Sequence, residues 1–146
     1  MKPKFYLAHS CLCHKKIRKW QLLIEAQCNI SFNNPFSDNR EEDISVVKDT
    51  KTLNKLLNEL SWEQCATIMV NDLELIRKSD GIVAYFESPT IGTCMEIFVA
   101  AYIYHIPVYV ITKKYANHPW IRALATEIFP HRTALKQFLL NTFGER

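Results

Sequence analysis

In the stretch Ser88-Pro-Thr-Ile-Gly-Thr-Cys-Met-Glu96 a single carboxylate, Glu96, stands in apolar surroundings. No other Asp, Glu, Lys or Arg occurs from Ser88 to Thr112. Four residues ahead of it is Gly92, one of only three glycines in the chain. A helix beginning near Ile91 to Thr93 puts Glu96 in its opening turns, where the helix dipole favours the ionised form. The bland reading stops there, with an acid well placed at a helix start. Against it stand the neighbours Met95, Ile97, Phe98, Val99, Ala100 and Ala101, which suggest a helix covered all round. An ionised carboxylate under such cover is costly unless it has partners or a task. Asp72, flanked by Asn71 and Leu73, is a second acid, read in isolation as a solvent-facing helical residue. Asp80 reads as a structural cap or as a residue orienting Lys78 and Gly81.

The elements that position these acids can be read from hydrophobic pattern. Lys4 to Ser10 is a short buried strand, followed by a helix from His14 to Gln27 with Ile17, Trp20, Leu23 and Ile24 at helical spacing. Asn29 to Phe32 is a second strand. Asn33 to Arg40 is turn chemistry leading into an exposed loop to about Thr50. Ser61 with Gln64 signals a capping box, opening a helix to about Lys78 that buries Cys65, Ile68, Met69, Leu73 and Ile76. Gly81 to Phe86 is a continuously apolar third strand. Thr93 to Tyr104 is a nearly all-apolar helix, Pro107 to Thr112 a fourth strand, and helices start near His118 and Thr133. Short apolar strands alternating with helices predict an α/β domain with a parallel sheet. Ligands of such sheets bind beyond the carboxyl ends of the strands, at a switch in strand order. Tyr6 to Cys11, Phe86 to Gly92 and Thr112 to His118 should therefore line one crevice.

The 146 residues make most simply one domain, 1–146, at 48% apolar and 23% charged. With 18 basic against 15 acidic residues, the net charge of +3 argues against a nucleic-acid partner. The clusters Lys15-Lys16-Ile17-Arg18-Lys19 and Lys113-Lys114 read as solvated faces that add attraction for a small anion. The apolar run Ile97 to Tyr104 is too short to span a bilayer, and MKPKFYLAHS lacks the pattern of a signal peptide. Five cysteines without framework spacing point to a reducing, cytoplasmic setting. Cys11-Leu-Cys13-His14 has no second ligand pair at zinc-site spacing, so neither a metal nor an organic cofactor is expected.

The ordered series Phe5-Tyr-Leu-Ala-His-Ser10, Asn71-Asp72-Leu-Glu-Leu-Ile76, Ser79-Asp-Gly-Ile-Val-Ala-Tyr-Phe86, Thr90-Ile-Gly-Thr-Cys-Met-Glu96 and Pro107-Val-Tyr-Val-Ile-Thr112 resembles the nucleoside 2-deoxyribosyltransferase superfamily, including its 2′-deoxynucleoside 5′-monophosphate N-glycosidase branch. The likeness is strong from Asn71 to Thr112 and weak from Gln27 to Ser61. It implies a Rossmann- or flavodoxin-like fold, with a mostly parallel sheet between helices. It also implies that Glu96 attacks the anomeric carbon of the sugar, that Asp72 handles the departing base, and that Tyr6 fixes the nucleophilic carboxylate. Ser10 and Cys11 fall on the loop that wraps sugar and phosphate, while His9 stands where the family usually has a small residue. Gly92 would let the backbone turn tightly against the sugar.

Two positions bear on the substrate. Six residues before the nucleophile, the nucleoside transferases carry an acid and the monophosphate hydrolases a serine. Here Thr90, with Ser88 nearby, offers hydroxyls and helix-start amides suited to a phosphate, although Thr90 also reads as a simple N-cap. His118-Pro-Trp-Ile-Arg122 resembles a segment that reaches a neighbouring subunit's site, which implies a homodimer or larger homo-oligomer with His118 near phosphate. The leading expectation is hydrolysis of the N-glycosidic bond of a nucleoside 5′-monophosphate or nucleoside. Base exchange between deoxynucleosides and a non-catalytic nucleotide-sensing module are the alternatives. A phosphoribohydrolase ranks lowest, because the paired-glycine turn before Gly-Thr is missing.

Overall fold

The computed structural model describes residues 1–38, 47–88 and 90–144. Five strands, β1 (Lys4–Ala8), β2 (Ser31–Asn33), β3 (Gly81–Tyr85), β4 (Val108–Ile111) and β5 (Glu127–Phe129), form one sheet in the order β2-β1-β3-β4-β5. Every neighbouring pair is parallel. The helices are α1 (His14–Gln27), α2 (Pro35–Asp38), α3 (Thr50–Asn58), α4 (Trp62–Arg77), α5 (Ile91–Phe98), α6 (Pro119–Leu124) and α7 (Arg132–Phe143). A 3-10 turn at Cys11–Cys13 precedes α1, and α5 continues as a π-helical segment, Val99–Ile103. This is the α/β architecture that the sequence pattern implies. Among the described residues, no helix is long and apolar enough to cross a membrane.

Strand pleating divides the core in two, because successive side chains point to opposite faces. From β1, Phe5 and Leu7 join Ile17, Trp20 and Ile24 of α1 and Leu135 and Leu139 of α7 on one face. Tyr6 and Ala8 join Ile76 of α4, Ile97 of α5 and Ile121 of α6 on the other. β3 alternates in step, with Val83 and Tyr85 on the first face and Ile82 and Ala84 on the second, which Phe86 just beyond the strand also joins. The first face is rich in aromatic rings, Phe5 lying 6.1 Å from Tyr109 and 5.8 Å from Phe143. At the start of β3 the glycine is required for space: a Cβ on Gly81 would lie 2.9 Å from Phe5 Cε1 and 3.1 Å from the Pro107 oxygen.

Several expectations change. β1 ends at Ala8 rather than Ser10, because Ser10 already caps the 3-10 turn. β2 begins two residues later and ends one residue later than the pattern suggests, and α3 and β5 were not expected. Part of the expected polar loop, 39–46, lies outside the described residues. Asp80 does not orient Lys78 or Gly81. Its Oδ2 accepts from the Lys4 N–H at 2.8 Å and its own N–H donates to the Lys4 carbonyl at 2.7 Å, which fastens β1 to β3.

The Ser61/Gln64 capping box forms as expected, with Gln64 N–H donating to Ser61 Oγ at 3.1 Å and Ser61 N–H to Gln64 Oε1 at 2.8 Å. The stripe it opens is only partly covered. Ile76 is buried, but Cys65 and Met69 are exposed, as are Trp62 and Val70. Leu23 of α1 is also exposed. The helix of Glu96 is likewise not covered all round, since Ile91, Met95, Tyr102 and Ile103 reach solvent. Helical spacing defines a face, but it does not say whether anything lies on it.

Candidate active site

The strand order turns around between β1 and β3: the chain runs outward from β1 to β2, then returns to place β3 on the other side of β1. At such a switch the loops leaving two adjacent strands part and open a crevice. Here these are the segment from His9 into α1 and the segment from Phe86 into α5. The loop after β4 is tied to the second by Lys113 N–H donating to Glu87 Oε1 at 3.3 Å.

The second loop delivers Glu96. Thr90 is the N-cap of α5, its Oγ1 accepting from the Thr93 N–H at 3.3 Å and lying 3.1 Å from Thr93 Oγ1. Thr93, Ile97 and Ala100 form the buried stripe of this helix, which leaves Glu96 half-buried beside them. Helical side chains lean toward the N-terminus, and Glu96 does so: a Cβ built on Gly92 would sit 3.7 Å from its Oε1. The carboxylate thus turns back toward the positive end of its own helix, and its Oε2 is shut off from solvent.

Gly92 therefore acts differently from the expectation of a tight turn. It is an ordinary helical residue without a positive φ, and a methyl there would meet only ordinary van der Waals contact. What it contributes is open space over Glu96. Gly92→Ala should keep or raise stability, by up to about 1 kcal/mol from helix propensity, while lowering turnover by filling space that a substrate needs over Glu96. Urea denaturation and activity on the same sample separate the two effects.

Tyr6 and Asp72 come to the same face of the sheet. Pleating turns Tyr6 toward α4 and α5, where it is fully buried, its hydroxyl included. Asp72 is half-buried on α4, one turn before the anchoring Ile76, and its Oδ1 is buried as well. Glu96, Asp72 and Tyr6 thus each carry a buried oxygen, on elements packed against one face of the sheet.

The first loop supplies Ser10 and Cys11. Ser10 is 4% exposed, and its Oγ has no hydrogen-bond partner among the described residues, a state that costs roughly 1–3 kcal/mol until a ligand or neighbour satisfies it. Cys11 is half-buried in the 3-10 turn. His9 is 3% exposed and its ring is turned into the protein. Nδ1 lies 2.9 Å from the Ser10 carbonyl oxygen and Nε2 3.3 Å from Asn34 Oδ1. A polar chain continues from there, Asn34 Nδ2 donating to Gln21 Oε1 at 3.0 Å and Gln21 Nε2 to Glu25 Oε1 at 3.1 Å. The rings of His14 and Phe36 lie against His9 at 5.8 and 5.0 Å. Burial pushes the His9 pKa down to about 4, with His14 adding to the lowering and the two hydrogen bonds opposing it.

Ser88 and His118 lie further out. Ser88 is exposed and shares a pocket with Lys16 and Arg132. His118 caps α6, accepting from the Trp120 N–H at 3.3 Å. With Phe86, Met95 and Trp120 it lines an apolar cavity of about 550 Å³ to which Glu96 does not contribute. Reading the sequence missed Thr93, the buried partner of the Thr90 cap, and the Asn34–Gln21 chain that holds the first loop. Thr-x-x-Thr ahead of an apolar run was the available signal for the former.

No protein-family model and no protein of curated function matches the sequence. Among solved structures, the fold matches that of a 2-deoxyribosyltransferase from Bacillus psychrosaccharolyticus at a TM-score of 0.65 and 19% identity, covering 95% of this chain and 94% of that one. It also matches the CMP N-glycosidase BcmB from Clostridium botulinum, at a TM-score of 0.57 and 17% identity over 96% and 99% of the two chains. A 2-deoxyribosyltransferase from Leishmania mexicana matches at a TM-score of 0.54 and 14% identity over 94% and 97%. The five-stranded parallel α/β sheet with flanking helices is the fold of these proteins.

Proposed function

We propose that this protein is a nucleoside or nucleotide N-glycosidase that cleaves the bond between base and sugar through a covalent glycosyl-Glu96 intermediate. The observation that carries the reading is the Glu96 carboxylate, leaning over Gly92 at the switch point with the buried oxygens of Tyr6 and Asp72 on the same face. The likeness of fold to a 2-deoxyribosyltransferase and a CMP N-glycosidase supports it.

In the first step a Glu96 oxygen bonds to the anomeric carbon as the N-glycosidic bond breaks, its electron pair leaving with the base. Asp72 hydrogen-bonds or protonates the base so that it does not depart as a free anion. The transition state resembles an oxocarbenium ion, which a nearby carboxylate stabilises before trapping it. In the second step water adds to the anomeric carbon, gives its proton to the Asp72 carboxylate or to the released base, and displaces Glu96, so that two displacements retain configuration. Tyr6 fixes the Glu96 carboxylate. Ser10, with its unsatisfied hydroxyl, and Cys11 hold the sugar. Thr90 and the amides at the start of α5 favour a 5′-phosphate over a bare hydroxymethyl group. No metal or organic cofactor enters this chemistry.

We read the protein as a homo-oligomer, because apolar side chains on α4, on α5 with its π-helical continuation, and on α6, among them Met69, Met95, Tyr102 and Trp120, are exposed in one chain. Sedimentation velocity reads the assembly directly.

A panel of nucleosides, deoxynucleosides and their 5′-monophosphates, each with and without a second free base, tests the function. Base release from monophosphates in water alone is the expected result. Product formed only with an acceptor base would convert the reading to base transfer. Tight nucleotide binding with no release from any substrate would leave a sensing module.

A further inference from the structure

On the other face of the sheet from α5, a pocket of about 480 Å³ opens between the start of α1 and the start of α7, within the size range of small-ligand sites. Its polar lining comes from Lys16, Tyr85, Glu87, Ser88, His131 and Arg132. Tyr85 belongs to the α1/α7 side of the core and is 7% exposed. Two cations converge on it. Lys16 Nζ donates to the Tyr85 hydroxyl at 2.9 Å and lies 5.2 Å from the ring centre, and the Arg132 guanidinium carbon lies 5.8 Å from the same centre.

Neither cation has a carboxylate partner among the described residues. The one acid in the lining, Glu87, instead accepts from the Lys113 backbone N–H at 3.3 Å. Two positive charges drawn to a single ring repel each other unless an anion lies between them. α7 begins at Arg132 with His131 as its cap, Nδ1 accepting from the Ala134 N–H at 3.1 Å, so the positive end of that helix opens on the same space. The donors on offer are a planar guanidinium, an ammonium and the Ser88 hydroxyl. Several donors from different directions suit an oxyanion with three or more acceptor oxygens rather than a single carboxylate.

We propose that this pocket is a phosphate-binding site, taking inorganic phosphate or a phosphate monoester between Lys16 and Arg132. Glu87 and Ser88 belong to the loop that leads from β3 into α5, so an occupant touches the segment that carries Thr90 and Glu96 from the opposite side. The site stands on Lys16, Tyr85 and Arg132 and does not depend on the reading of Glu96.

Calorimetric titration of the full chain with inorganic phosphate, at ionic strength matched with chloride, tests it. Binding should weaken at least tenfold in Lys16→Met/Arg132→Gln and remain unchanged in Lys51→Met, a control at an exposed cation of α3. Lys16 is exposed, so Lys16→Met alone should weaken binding without disturbing the fold, which circular dichroism checks. A second arm titrates a nucleoside 5′-monophosphate into Glu96→Ala protein, which cannot turn it over. Loss of its affinity in Lys16→Met/Arg132→Gln assigns the pocket to the phosphoryl group of that ligand. Unchanged affinity assigns it to free phosphate; either result requires that inorganic phosphate binding fall in the double variant. No heat with millimolar phosphate, binding kept in the double variant, or an equal loss in Lys51→Met would overturn the proposal.

Discussion

Base release by Glu96→Ala protein should fall by on the order of 10⁴-fold, as when other enzymes lose a nucleophile, with the urea midpoint close to that of the parent chain. The small structural effect follows from placement, since Glu96 is half-buried beside the stripe Thr93, Ile97 and Ala100 and is not part of the core. Asp72→Asn should be milder, roughly 10²-fold to 10³-fold, because an amide still donates a hydrogen bond to the departing base but cannot give up a proton. That loss should shrink for substrates whose bases leave more readily. A Glu96→Ala enzyme within tenfold of the parent would remove the covalent step altogether. Equal losses across good and poor leaving groups would remove Asp72 from base protonation.

Acidification should weaken the fold through His9. Its pKa is held near 4, chiefly by burial, against 6.5 for an ordinary histidine. Above pH 6.5 the ring is neutral in both folded and unfolded chains, so it contributes no pH dependence. Below that the unfolded chain takes up a proton that the folded chain refuses, and stability drains away until about pH 4. The total is on the order of 3 kcal/mol. A neutral ring can donate to only one of the two oxygens it faces, the Ser10 carbonyl or Asn34 Oδ1, so the hydrogen bonds oppose burial without overcoming it. Urea denaturation of the parent and His9→Gln from pH 7 to 4.5 isolates this residue from the carboxylates that titrate in both. The parent should lose more stability than the variant across that window. Parallel curves would mean that His9 takes up its proton within the folded protein.

What sequence reveals here depends on how local the signal is. The Ser61/Gln64 box needs only four residues and formed as written. β3 and β4 were legible because buried parallel strands read as continuous apolar runs. β5 is three residues, Glu127–Phe129, too short for any periodicity. The exposure of Cys65 and Met69 was invisible for another reason: a helical stripe reports a shared face, while burial depends on which element lies across from it. The candidate site divides in the same way. Glu96 announced itself as a lone charge, and Thr90 as a cap. The pairing of Lys16 with Arg132 over Tyr85 could not be anticipated, since it joins three distant segments through a side chain that read as plain core.

The join between β1 and β3 has a kinetic meaning. Phe5 pairs with Gly81 and Asp80 clamps Lys4, so the two central strands meet only after more than half the chain has been made. Closing so long a loop is entropically slow and is rewarded only when the whole interface forms. The crevice between these strands cannot exist in any N-terminal fragment that lacks β3. Any ligand that bridges the loops after β1 and β3 favours the completed chain over every intermediate, so the substrate would also act as a folding ligand.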